Sequence, residues 1–176
     1  ARVGYTLDVT RGDEVWNSSQ VWYMPFDDMD DPVTDEISMW PWREAYYTIN
    51  VCNFILSRTT GDDASLSESM KRIKGQALFL RGYSYYTLAG YYQNPALITD
   101  YANYSTLDGL YGKNSTYDDV LDQVEKDFSE AMTLLPSRDE GGEWAKGRAT
   151  CGAAAGYYAR TLMQRHKYSD ALVVLK

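Results

Sequence analysis

The sequence predicts an all-α chain in which helix pairs stack as a solenoid and are joined by long irregular loops. Two observations carry this. Apolar residues recur at helical spacing through most of 41–176. The segments so patterned open on capping residues and close at proline or glycine. Strand-like alternation is weak even where the chain is irregular.

Residues 1–38 read as irregular. GYTLDV and QVWYMPF suit short extended pieces, and DDMDDPVTDE (27–36) holds six acids in ten residues. Residues 41–58 read as a helix with Pro41 in its first turn, where the missing N–H costs nothing. Ala45, Ile49, Cys52 and Leu56 share one face. A second helix starts near Ser65, three residues before Glu68, and runs to Tyr92, with Asn94-Pro95 beyond it. It is apolar on three stripes, so its tyrosines read as packing residues inside a bundle. Residues 93–114 form a long loop bearing Tyr101, Tyr104 and Tyr111. A third helix begins at Ser115 or Thr116 and ends at Pro136. A polar loop with Gly141 and Gly142 follows. Helices over 148–165 and from Tyr168 onward complete the chain.

Within this pattern FSEAMTLLP places Phe128, Ala131 and Pro136 at the spacing that closes a tetratricopeptide repeat. ARTLMQRHKYSDAL resembles the middle of that repeat through Ala159, Leu162, Tyr168 and Ala171. The small residues let paired helices approach closely. The fold class is therefore a tetratricopeptide-like helical solenoid with long irregular loops.

Composition narrows the function. The chain has 176 residues, 16 Tyr, 5 Trp and a net charge of −8. Nucleic acid is not expected as a partner, because no basic patch exists to displace counterions. Lys71, Arg72 and Lys74 share one helical turn and read as a solvated face. Cys52 and Cys151 lie on apolar stripes and read as free thiols, with a disulfide between them left open. No segment approaches 18 apolar residues. No leader precedes Ala1, and SDALVVLK stops in mid-helix, so the expectation is a piece of a longer protein.

Catalysis has thin support. His166 is the single histidine and sits at a turn among charged residues, with no Ser-His or Cys-His arrangement. The run 27–36 lacks the spacing of a calcium loop, so no metal or other cofactor is expected. Arg81 and Arg148 lie beside apolar helix surfaces and read as structural, each paired with a carboxylate and a carbonyl. Asn53, Gly82, Ala131 and Pro136 also read as structural. Candidate ligand-binding residues are the aromatics off the helical stripes: Trp22, Tyr23, Trp40, Tyr101, Tyr104 and Tyr111. Each could equally staple its loop onto the solenoid.

A more specific resemblance covers residues 40–176. WPWREAYYTINVCNFIL resembles a helix of the RagB/SusD family through Trp42, Tyr46, Ile49 and Asn53. IKGQALFLRGYSYYTLAGYYQNPALI is similar to the family's next block through Gly75, Ala77, Phe79, Leu80, Arg81, Leu88, Pro95 and Leu97, with Gln76 where the family has an acid and Gly82 where it has alanine. VLDQVEKDFSEAMTLLP matches through Asp127, Ala131 and Pro136, and KGRATCGAAAGYYARTLM through Gly147, Arg148, Ala149 and Thr150. The resemblance implies a non-catalytic lipoprotein on the outer face of the Bacteroidetes outer membrane. Such a protein binds glycan and sits on a SusC-like TonB-dependent transporter. It also implies an N-terminal portion: residues 1–39 as an irregular segment with an acidic loop, and 40–176 as the helical region, truncated at its C-terminus. The lipid anchor would be its only membrane contact, and is absent from this chain. The rival reading is a tetratricopeptide-type scaffold that binds a protein or peptide in its groove; it would favour short loops over the aromatic insertion at 93–114.

Overall fold

The computed structural model describes residues 36–176, and every regular element among them is helical. In chain order these are α1 (Glu36–Arg58), α2 (Glu68–Tyr92), the short α3 (Leu107–Leu110), α4 (Tyr117–Leu134), α5 (Arg138–Ala145), α6 (Cys151–Gln164) and α7 (Tyr168–Val174). Two compact units divide the chain, residues 1–46 and 47–176. In the first, the described part is the opening of α1, where Trp42 and Tyr46 pack one turn apart with ring centres 4.8 Å distant. The remaining description concerns the second unit.

The helix starts follow local hydrogen-bond chemistry, with two departures from the sequence reading. Pro41 lies inside α1 rather than in its first turn. It forgoes the bond to the carbonyl four residues back, but its fixed φ suits the helix. Ser67, not Ser65, caps α2, its hydroxyl accepting from the Met70 N–H at 3.3 Å. Ser65 instead closes a single 3-10 turn capped by Asp62. Thr116 caps α4 and Thr150 caps α6. Gln93, at φ +60°, turns the chain out of α2 ahead of Pro95.

α2 and α4 run antiparallel. Gly75 faces Leu135 and Gly82 faces Phe128, so one helix ascends as the other descends. A Cβ at Gly75 would come within 2.9 Å of Leu135, and one at Gly82 within 3.1 Å of the Asp127 Cβ. The absence of a side chain is what lets the helices close to this distance. α4 and α6 are also antiparallel, since Tyr117 meets Gln164 while Phe128 stacks on Tyr157. α7 packs on α6 through Ala159, Leu162 and Ala171. Between α2, α4 and α6 lies a core of Leu78, Ala131, Leu135 and Ala154. Val120, Leu121, Val124 and Phe128 are wholly buried beside it.

Two further expectations are revised. The glycines at 141 and 142 do not sit in a loop. They belong to α5, which Ser137 and Glu140 open with reciprocal capping bonds and which kinks at Gly142, φ +49°. Likewise α2 is not enclosed on all sides. Tyr85 has no exposed surface, but Leu80 and Tyr83 are 44% and 43% exposed. The 93–114 insertion carries a 3-10 turn, Tyr101–Ser105, and α3.

Candidate functional site

The interior of the second unit holds one charged bridge. Arg81 on α2 donates from Nε and Nη2 to the two carboxylate oxygens of Asp127 on α4, at 2.8 and 2.7 Å. Its Nη1 donates to Asn53 Oδ1 on α1 at 2.9 Å and to the Thr99 carbonyl at 3.4 Å. Gln123 donates to Asp127 as well. Burial alone would weaken Arg81's hold on its proton, but the Asp127 carboxylate reverses this and leaves the guanidinium above its ordinary value. Asn53 reaches on to the Ile98 carbonyl at 2.7 Å. The Tyr85 hydroxyl also donates to that carbonyl and accepts from the Ile98 N–H, both at 2.8 Å. Arg81 thus ties three elements together: α1 through Asn53, α4 through Asp127, and the loop after α2 through Thr99.

That loop presents the first surface candidate. Tyr101 and Tyr104 lie with ring centres 5.9 Å apart, and Tyr101 meets Phe54 of α1 edge-on at 5.2 Å. Arg58 stacks over Phe54. Tyr101 is 39% exposed, so the group offers an amphipathic ring surface. The Tyr104 hydroxyl is buried beside Asn53, whose amide is already engaged by Arg81 and Ile98, and among the described residues it makes no hydrogen bond of ordinary geometry. Burial pushes the Tyr104 phenol above its usual pKa, partly offset by Asn53 and Arg81. Tyr111 stands at the end of α3, almost fully exposed, and joins no ring contact among the described residues. Trp40 lies in the first unit, half exposed on α1. Trp22 and Tyr23 lie outside the described residues, as does nearly all of the acidic run 27–36. Of the six aromatics singled out from sequence, the structure brings Tyr101 and Tyr104 together.

A second candidate was not legible in the sequence. Rows of side chains on α1 and α2, with Trp144 of α5, line an open groove of about 330 Å³. Its aliphatic walls include Val51, Ile55, Ile73 and Leu80. The guanidinium carbons of Arg72 and Arg148 lie 5.2 and 5.3 Å from the centre of the Trp144 ring. Arg148 is therefore exposed and stacked, rather than buried on a carboxylate. Its backbone lies in the turn between α5 and α6. Nor do Lys71, Arg72 and Lys74 form one solvated face. Lys74 bridges Asp63 and Glu130 at 2.8 and 2.6 Å, while Arg72 turns to Trp144. The missed signal was Ser137-x-x-Glu140, a capping box that marks α5 and so places Trp144 on a helix.

Beside the groove, Gln76 clamps the Ala149 peptide. Its amide donates to the carbonyl at 2.6 Å and its oxygen accepts the N–H at 3.2 Å. A glutamate there would lose the donor. Cys52 is buried and Cys151 half-buried, and both are free thiols. Burial raises the Cys52 thiol to about 11. Among the described residues no group of three or more His, Cys, Asp or Glu is placed to hold a metal, and no helix is long and apolar enough to cross a membrane.

Antiparallel helices stacked side by side and tied together by a buried arginine define a helical-repeat fold of the tetratricopeptide type. The chain belongs to the SusD-like family described as starch-binding and associating with the outer membrane, whose model matches residues 4–163. That description is of binding. The fold is shared with a SusD superfamily protein of Bacteroides vulgatus, at 21% identity and a TM-score of 0.81, covering 98% of this chain and 36% of that one. It is shared with a SusD-like protein of Bacteroides fragilis, at 22% identity and a TM-score of 0.77, covering 97% and 33%. A third is surface glycan-binding protein A of Bacteroides thetaiotaomicron in complex with laminarihexaose, at 18% identity and a TM-score of 0.73, covering 96% and 35%. The chain thus spans roughly a third of the length of these structures. No curated protein sequence matches it.

Proposed function

We propose that this chain is part of a cell-surface protein that binds glycan and delivers it to a SusC-like TonB-dependent transporter of the outer membrane. The observation that carries the reading is the family match over residues 4–163. The name of one fold relative, a glycan-binding protein holding laminarihexaose, supports it. In this reading a lipid anchor holds the full-length protein at the membrane, and the helices from Glu36 onward form its helical region. Glycan meets Trp22, Tyr23, Trp40, Tyr101, Tyr104 and Tyr111. Sugar C–H faces pack on such rings while neighbouring polar groups take the hydroxyls. The paired rings of Tyr101 and Tyr104, backed by Phe54, are the part of that set with a described geometry.

Affinity electrophoresis tests this against a panel of soluble polysaccharides that includes starch and laminarin. The full-length protein is expected to be retarded by at least one, and Tyr101→Ala with Tyr104→Ala to weaken that retardation by about tenfold, as loss of a central aromatic contact does. Absence of retardation by every glycan would discard the reading. Retardation that survives alanine at all six aromatics would discard the site and keep the function. Co-purification with a large outer-membrane protein tests the transporter step.

A further inference from the structure

The groove walled by α1 and α2 and closed by Trp144 of α5 joins an aliphatic row to two arginines gathered on one ring. The chain carries a net charge of −8, so carboxylates are plentiful. The buried Arg81 and the half-buried Lys74 and Arg165 find them: Lys74 with Asp63 and Glu130, Arg81 with Asp127, Arg165 with Asp122 and Glu125. Arg72 and Arg148 pair with no carboxylate among the described residues. They converge instead on the Trp144 ring. A stacked guanidinium is held in place yet keeps its planar fork of N–H donors for a partner. Two such groups beside one indole make a fixed positive edge on an acidic surface.

Next to that edge lies an aliphatic wall. Val51, Ile73 and Leu80 are 43%, 45% and 44% exposed, with Ile55 deeper between them. Single exposed apolar side chains are ordinary, but a contiguous set marks a contact surface. Tyr47, Thr48 and Trp144 also line the groove, but its centre is aliphatic, and its one amide, Gln76, spends both its ends on Ala149. An open groove of about 330 Å³ has room for a few side chains.

We propose that this groove docks an acidic peptide segment of another protein, its aliphatic side chains seated on Val51, Ile55, Ile73 and Leu80 and its carboxylates on Arg72 and Arg148. Charge complementarity selects the partner, and the apolar row sets the register, as an amphipathic segment does in a hydrophobic groove. The inference is independent of the glycan reading.

An arrayed set of 15-residue peptides built from Leu, Ile, Val, Asp and Glu is probed with the full chain, beside a matched set with Lys and Arg in place of the acids. Hits are measured by titration calorimetry. Acidic peptides are expected to bind and basic ones not, with affinity falling steeply near 1 M salt, where the screening length is about 3 Å. Arg72→Ala with Arg148→Ala should weaken binding by about tenfold or more, and Ile73→Asp by a similar factor, each with an unchanged melting temperature. Arg72→Glu with Arg148→Glu should transfer binding to the basic peptides, a gain that misfolding cannot mimic. The proposal is overturned if no acidic peptide binds, if these variants leave binding unchanged, or if they abolish retardation by a neutral polysaccharide instead, which would make the groove a saccharide subsite.

Discussion

Two arginine sites in this molecule share a residue type and little else. Arg81 is buried, and all its nitrogens have acceptors: a bidentate carboxylate, a side-chain amide and a backbone carbonyl. Arg72 and Arg148 lie at the groove, held by the face of an indole and by no carboxylate among the described residues. The difference teaches where each charge is spent. A guanidinium taken out of water must have every donor met, or the fold loses several kcal/mol. A guanidinium on an aromatic face keeps its water and its spare donors, and little folding energy rests on it. Arg81 is committed to the fold, whereas Arg72 and Arg148 are available to a partner.

Breaking the first site should have the largest effect. Asp127→Ala leaves Arg81 charged and buried, so urea unfolding should show a loss of about 3–5 kcal/mol. Arg81→Met combined with Asp127→Leu should recover much of it, because no stranded charge remains. A change of pH probes the same interior through Cys52. Burial favours its neutral thiol in the folded chain, raising it from 9.0 to about 11. Its contribution is complete below pH 9 and is lost as the pH rises through 11, by about 2–3 kcal/mol. A thermal melt series from pH 8 to 11.5 should fall steeply for the native chain and less steeply for Cys52→Val. Gly82→Ala tests the close approach beside the bridge. Its Cβ would press on Asp127 and Phe128, and a cost of about 1–3 kcal/mol is expected in the same urea assay. At the groove, Arg72→Ala or Arg148→Ala should change stability by no more than about 0.5–1 kcal/mol. A loss as large as that for Asp127 would erase the contrast.

Much of the helical framework was legible because it is local. Ser67 lies within two residues of the expected cap, Thr116 caps its helix as the spacing indicates, and Pro136 ends α4. The small residues at 82, 131 and 159 mark close helix approaches because size at a helical spacing is written directly in the chain. What was not legible depends on distance across the fold. Periodicity shows that α2 has three apolar stripes, but not that Leu80 on one and Tyr83 on another keep much of their surface exposed. Arg72 reads as one of three cations on a solvated turn because its ring partner is far away in sequence, on a helix mistaken for a loop. Of the site aromatics, sequence could place Tyr101 and Tyr104 in one insertion. It could not show that Phe54 of α1 would meet them edge-on and Tyr104 would turn its hydroxyl inward toward Asn53.

The bonds at Ile98 have a consequence in time as well as in structure. Its peptide belongs to no helix, yet both its polar groups are held by Tyr85, with Asn53 on the same carbonyl. Tyr85 has no exposed surface, so water reaches this peptide only when α2 itself separates from its neighbours. The Ile98 amide should therefore exchange deuterium at the rate of the helical core, while the amides around exposed Tyr111 exchange as an ordinary loop. Exchange should then show the insertion opening in two stages, the stage nearer Arg81 keeping time with the bundle.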